Sequence, residues 1–162
     1  MEKKILYLDM DGVLADFDAA IAKLCPDLRN PEVYPSHESR SVQVDKVCEA
    51  NPNIFYTLQP IKGAIEAAYK LFDSYNVYFL STPMWHVPES FTGKRVWIQS
   101  HFGKLGEKRL ILTHRKDLVI GDYLLDDRIK NGSGNFKGIH IHFGTPRYPS
   151  WDVVLPYLES IV

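Results

Sequence analysis

The sequence predicts an α/β fold: a doubly wound, Rossmann-like parallel sheet in a single domain over residues 1–162, with a small helical cap inserted after the first strand at about residues 18–59. Three observations predict it. Short, continuous apolar runs alternate with segments of helical spacing along most of the chain, the pattern of strands buried on both faces and of the helices that connect them. The first such run, Lys4-Ile5-Leu6-Tyr7-Leu8, ends abruptly in Asp9-Met10-Asp11-Gly12, at the strand end where α/β proteins place their ligands. The stretch from Asp27 to Gln59 then breaks the pattern with Pro31, Pro35, Pro52 and many polar residues, as an insert does.

Strand one covers about Lys4 to Asp9. A helix follows from near Asp16 to Leu24, with Phe17, Ala20, Ile21 and Leu24 on one side, and Pro26 stops it. Within the insert one helix is expected from about Ser39 to Ala50, and Val42, Val44, Val47 and Cys48 give it only a shallow apolar face. Regular pattern resumes at Pro60, which reads as the first-turn proline of a helix with Ile61, Ile65, Ala68, Leu71 and Phe72 as its stripe. Strand two is Asn76 to Ser81, a helix runs from about Thr92 to Phe102, and strand three is Arg109 to Leu112. A fourth strand lies within Leu118 to Leu125, the fifth is Ile139 to Phe143, and the last helix is Trp151 to Ile161. Such alternation implies right-handed crossovers.

Nineteen basic against twenty acidic residues leave a net charge of −1, which offers no footprint for a nucleic-acid polymer or an acidic membrane as partner. A small charged substrate stays open, because a local site need not show in the total. The two cysteines, Cys25 and Cys48, make no disulfide framework and read as small apolar fillers in a reducing cytoplasm. No apolar run suits a signal peptide or a membrane span, so the expected location is cytoplasmic and the Asn131-Gly132-Ser133 sequon idle. Oligomeric state is not legible.

Two carboxylates one residue apart repel each other unless a cation keeps both ionised, and a hard, oxygen-seeking ion such as Mg²⁺ suits Asp9 and Asp11. A helix N-cap accounts for one aspartate at such a turn, not for two. Gly12 lets the backbone turn away tightly. Strand two ends in Ser81-Thr82-Pro83, whose hydroxyls can hydrogen-bond a phosphoryl oxygen. Strand three is followed by Thr113-His114-Arg115-Lys116-Asp117, with three side chains able to carry positive charge. Strand four leads into Asp126-Asp127-Arg128, adjacent carboxylates that can complete a metal site with strand one. Alone, the Ser81 segment reads equally as a turn and the Lys116 segment as a solvated loop. Their order, each at an expected strand end, is the signal.

These features resemble the four motifs of the haloacid dehalogenase superfamily, beginning with DxDGV(L/T) at Asp9-Met10-Asp11-Gly12-Val13-Leu14. More narrowly, DMDGVLADF is similar to the start of the 5'(3')-deoxyribonucleotidases. So are Pro60-Ile61-Lys62-Gly63-Ala64, Leu80-Ser81-Thr82-Pro83, Gly93-Lys94-Arg95-Val96-Trp97, Arg109-Leu110-Ile111-Leu112-Thr113 and Gly121 through Arg128. The insert from Asp27 to Pro52 resembles them least, and in that family the cap helps to recognise the nucleoside. The resemblance implies an Mg²⁺-dependent phosphatase of nucleoside monophosphates, deoxyribonucleotides preferred. It casts Asp9 as nucleophile, forming an aspartyl-phosphate, and Asp11 as general acid and base. Mg²⁺ falls to Asp9, the Asp11 backbone carbonyl and Asp127 in preference to Asp126. Ser81 and Lys116 fall on the phosphoryl oxygens, Lys94 and Thr82 reach the phosphate end, and Arg128 supports the rim. Phe17 takes the place of a base-stacking aromatic, although its helical spacing reads equally as core. Phe55 and Tyr56 are weaker candidates for that pocket.

Two rivals share these residues. A phosphatase of another small phosphomonoester, such as a sugar phosphate, uses the same motifs. A phospho-accepting signalling module also combines aspartates, a hydroxyl and a lysine, but its acceptor ends the third strand, where this chain has Thr113-His114-Arg115-Lys116, and it lacks an insert after strand one. A binding protein that merely keeps the fold is disfavoured by the intact set of acidic, hydroxyl and cationic groups. His140 and His142 share a strand face without a third ligand, so zinc is not expected. His37, His101 and His114 read as ordinary polar surface residues and Trp97 and Trp151 as core; Trp85 and His86, after strand two, read as loop packing ahead of the alternative that they flank the mouth of the site.

Overall fold

The computed structural model of the chain describes residues 2–162. Five strands, β1 (Ile5–Leu8), β2 (Asn76–Ser81), β3 (Leu110–Leu112), β4 (Tyr123–Asp126) and β5 (Ile139–His142), form one sheet in the order β3-β2-β1-β4-β5. Every neighbouring pair is parallel, and at the centre Leu8 lies in register with Phe79 on one side and Leu125 on the other. The expected α/β class is therefore present. From β1 the chain winds outward through β2 to β3, then crosses back to β4 and β5 on the opposite side. Winding reverses between β1 and β4, and an open α/β sheet binds ligands in the crevice outside the carboxyl ends at that point. Asp9 and Asp127 stand one residue beyond those two strands.

The helices are α1 (Phe17–Leu24), α2 (His37–Ala50), α3 (Ile54–Thr57), α4 (Ala64–Ser74), α5 (Pro88–Phe102) and α6 (Trp151–Ser160). Leu71 of α4, Trp97 of α5 and Leu158 of α6 join Leu6, Leu8, Phe79 and Leu125 in the main core on one sheet face. Tyr7, Leu80 and Leu124 point to the other face and meet Phe136 and Val119. That face is covered by the connections 113–122 and 127–138, which hold only the short 3-10 turns Lys116–Leu118 and Ser133–Asn135. These connections are too short for a helix running the depth of the sheet. Their shortness keeps Lys116 and Arg128 close to the strand ends.

Element boundaries shift for local reasons. α2 starts at His37 rather than Ser39 because Ser36 and Ser39 form a reciprocal cap: Ser39 N donates to Ser36 Oγ at 3.0 Å and Ser36 N to Ser39 Oγ at 3.1 Å. α5 starts at Pro88 rather than Thr92, with proline in its first turn. The helix expected from Pro60 begins only at Ala64, after Gly63 at φ 77°. Pro60 bridges Ala15 instead, and Ile61 N donates to Leu14 O at 2.8 Å. With Asp16 N donating to Gln59 O at 2.8 Å, these bonds bind the two ends of the insert side by side. Trp97 and Trp151 are buried as expected, their indole N–H groups donating to Leu58 O and Val13 O, each at 2.8 Å.

Inside the insert, α2 buries only Val47 and Cys48, in keeping with its shallow face. The short α3 is fixed differently. Phe55 is buried against Gly93 of α5, where a Cβ would stand 2.6 Å from the Phe55 Cβ. Both thiols are free; Cys48 is buried, whereas Cys25 is half-buried with Sγ 3.8 Å from the Tyr34 hydroxyl.

Candidate active site

Apolar β1 delivers Asp9 to the sheet rim, and Asp9 N donates to Leu125 O at 2.9 Å, extending the pairing with β4. Gly12 turns the backbone at φ 80°, and a Cβ there would run into the Asp127 carboxylate. Four aspartates thereby meet at one crevice: Asp9 and Asp11 from the β1 end, Asp126 and Asp127 from β4. One carboxylate oxygen from each of Asp9, Asp126 and Asp127 lies within 4.8 Å of the others. Among the described residues no other set of His, Cys, Asp or Glu comes together in this way.

Two buried lysines face the carboxylates. Lys116 Nζ lies 2.6 Å from Asp126 Oδ2 and 3.0 Å from Asp9 Oδ1. Burial works against its charge, but Asp9 and Asp126 outweigh that and hold its pKa above the ordinary value. Lys94, from the middle of α5, donates to Asp11 Oδ2 at 2.6 Å and to Ser81 Oγ at 2.9 Å, with the Phe55 ring 5.7 Å from its ammonium. Burial pushes the Asp9 carboxyl up, against the pull of Lys116 and with Asp126 adding to the push.

Asp126 and Asp127 are not equivalent. Both Asp126 oxygens are occupied, Oδ2 by Lys116 and Oδ1 by the Arg128 backbone N–H at 2.8 Å. Asp127 Oδ1 is buried without a partner, and its pKa is pushed up to about 7, chiefly by burial and next by the Asp9 charge. Arg128 Nε, 3.8 Å from Asp127 Oδ2, opposes this only weakly from a side chain that is 56% exposed. Asp11 Oδ1 and Thr82 Oγ1 are also buried and unpartnered. A hard cation and an oxyanion would satisfy such a set.

The cleft has a volume of about 770 Å³ and runs from these aspartates between the core and the insert. Phe17 and Phe55 line it, stacked on each other with centroids 5.9 Å apart and planes 19° apart. Phe17 is therefore both core and cleft wall; Tyr56 does not line the cleft. Trp85 takes the second of its two readings, at the mouth of the cleft rather than in loop packing. It is 73% exposed at the cleft, edge-on to His114 at 5.9 Å, and the exposed His86 does not line the cleft. Sequence reasoning missed His142, whose Nε2 is 3.0 Å from Asp127 O on the cleft wall. Its position at the end of a parallel strand was the available signal. His140 and His142 do share a face, their rings stacked at 5.4 Å.

The fold is the one seen in haloacid dehalogenase-like proteins. The fold matches solved members of that class at low identity. A hydrolase from Xanthomonas campestris aligns with TM-score 0.61 and 10% identity, covering 98% of this chain and 96% of that one. A Bacillus subtilis hydrolase solved with bound magnesium aligns with TM-score 0.60 and 11% identity, covering 98% and 99%. Within the class, residues 3–150 match the family described as 5' nucleotidase, deoxy (pyrimidine), cytosolic type C protein, and the chain belongs to that family. The 5'(3')-deoxyribonucleotidase homologue of Vibrio phage KVP40 is 43% identical over 159 residues, 98% of this chain and 86% of that one. The human cytosolic 5'(3')-deoxyribonucleotidase is 31% identical over 141 residues, covering 76% and 70%.

Proposed function

We propose that this protein is an Mg²⁺-dependent nucleotidase that hydrolyses nucleoside monophosphates, deoxyribonucleotides preferred, through an aspartyl-phosphate. A phosphoric monoester hydrolase is the activity class that family membership carries; the metal, the intermediate and the substrate are our reading. The observation that supports it most is the convergence of three buried, unpartnered oxygens, Asp11 Oδ1, Thr82 Oγ1 and Asp127 Oδ1, on the crevice beside Asp9.

Asp9, the Asp11 backbone carbonyl and Asp127 would hold the metal; Asp126, saturated by Lys116 and Arg128 N, would support them. Bound there, Mg²⁺ offsets the crowded negative charge and that of the phosphoryl group. Asp9 attacks phosphorus in line, forming an acyl-phosphate bond as the ester P–O bond breaks, and Asp11 protonates the leaving oxygen. Water then attacks phosphorus, Asp11 takes its proton, and the Asp9 oxygen leaves as carboxylate. Lys116, Lys94, Ser81 and Thr82 bind phosphoryl oxygens in a water-poor site. The insert acts as the cap, with Phe17 stacking on the base. We place the protein in the cytoplasm, in keeping with its two free thiols.

The test is phosphate release from 5'- and 3'-nucleoside monophosphates, ribo and deoxy, with sugar phosphates alongside, each with Mg²⁺ and with chelator. Fast, Mg²⁺-dependent release from deoxyribonucleotides supports the reading. Release from sugar phosphates alone retains the crevice chemistry and discards the nucleotide.

A further inference from the structure

Away from the aspartates, the cleft carries basic side chains from both of its walls. His37 and Arg40 are three residues apart in α2 and so share one helix face. Lys130 comes from the connection after β4 and also lines the cleft. Its Nζ stands 3.4 Å from His37 Nε2, across the seam between insert and core. No carboxylate lies within 4.0 Å of His37, Arg40 or Lys130 among the described residues. Arg40 is half-buried and commits one donor, to Tyr34 O at 3.2 Å, of the five that a guanidinium carries. Asp45 lines the same wall without pairing to any of them.

Basic groups that converge from two walls without a counter-ion form a receptor for an anion. Its place relative to the reaction centre is bounded by the chain. Lys130 is three residues beyond Asp127, a backbone reach of at most about 10 Å. Lys116 N donates to Asn131 O at 2.8 Å, which ties this connection to the turn that holds Lys116 beside Asp9. Arg40 and Lys130 thus line the same cleft as the reacting aspartates, where one substrate can reach both.

We propose that Arg40 and Lys130, whose ammonium donates to His37 Nε2, bind a second phosphate on the substrate, so that the cleft takes nucleotides phosphorylated at both ends of the sugar, nucleoside 3',5'-bisphosphates, in preference to monophosphates. This rests on the nucleotidase reading for the first phosphate and adds a subsite to it. Arg40 supplies the paired donors that suit a phosphate, and Lys130 adds a point charge from the opposite wall. The second phosphate links insert to core and holds the cleft closed around the base.

Calorimetry on the Asp9→Asn protein, which needs no turnover, reads this directly. Deoxyadenosine 3',5'-bisphosphate is expected to bind about tenfold tighter than deoxyadenosine 5'-monophosphate, the effect of one charge-assisted contact in a half-buried setting. That ratio should fall to near one when Arg40→Gln and Lys130→Gln are added, and shrink in high salt. Equal affinity for the two nucleotides overturns the proposal, as does a preference that survives both substitutions. The two readings fail separately. A bisphosphate preference without turnover of any nucleotide by the wild-type enzyme contradicts the nucleotidase reading and leaves the subsite. Normal turnover of monophosphates with equal binding does the reverse.

Discussion

Lys94 Nζ lies 2.6 Å from Asp11 Oδ2 in an uneven pair: the lysine side chain is 1% exposed and the aspartate 21%. A helix interior rarely spends a buried lysine without purpose, and this one also donates to Ser81. Replacing it separates charge from volume. Lys94→Met keeps most of the volume and is expected to lower kcat at least about 100-fold, at a cost of about 3 kcal/mol of stability in urea because the Asp11 carboxylate loses its partner. Lys94→Ala should lose the same activity and a further 2–4 kcal/mol or so for the hole it leaves. Equal stability losses would show that the charge, not the packing, holds this part of the fold.

Gly93 sets how close α3 comes to α5. A Cβ there meets the Phe55 Cβ at 2.6 Å and the Phe55 carbonyl carbon at 3.1 Å. Gly93→Ala is expected to cost about 1–3 kcal/mol and to raise KM more than it lowers kcat, because Phe55 backs Phe17 at the cleft. An unchanged KM would separate the Phe17–Phe55 stack from substrate binding.

The carboxyl of Asp127 sets a pH dependence of known sign. Its pKa rises from 3.8 to about 7 in the folded chain, so between those values the folded protein keeps a proton that the unfolded one releases. Metal-free stability therefore falls as pH climbs from about 4 to 7 and levels off above, by about 2–4 kcal/mol from this group, whose side chain is 23% exposed. Mg²⁺ held by this carboxylate would compete with that proton, and its stabilising increment is expected to grow over the same window. Urea unfolding in chelator and in Mg²⁺ checks both. Asp127→Asn should raise metal-free stability at pH 8 and remove the Mg²⁺ increment; an increment independent of pH would contradict this role.

Trp85 offers an optical report on the ligand. It is 73% exposed at the cleft, while Trp97 and Trp151 are 1% and 3% exposed. A nucleoside monophosphate is expected to quench its fluorescence by stacking or contact, and ribose 5-phosphate, lacking a base, to change it far less. Trp85→Phe should abolish the signal. Equal responses to the two ligands would place the base away from this wall.

Much of the site was legible because its signals are local. Asp9 and Asp11 follow an apolar strand directly, and Asp126 and Asp127 follow another, so strand ends alone bring them to one rim. Lys94 was a different matter. A lysine amid α5 reads as surface by pattern, and only the resemblance pointed to the phosphate end. Which of Asp126 and Asp127 keeps an unpartnered oxygen depended on Lys116 and the Arg128 N–H, contacts that no spacing reveals. Phe17 could not be assigned to core or cleft because it serves as both. His142 and Trp85 gained their places from tertiary packing, and α2 began early because of a two-serine cap rather than hydrophobic period.

The central claim is that Asp9 carries the phosphoryl group during turnover. Quenching the enzyme during turnover of a deoxynucleoside monophosphate with Mg²⁺, then reducing with borohydride, converts an aspartyl-phosphate to homoserine, which peptide mass spectrometry locates. The expected result is homoserine at position 9, dependent on substrate and absent from Asp9→Asn. Homoserine at position 127, or none at any position while phosphate is released at full rate, would contradict the account.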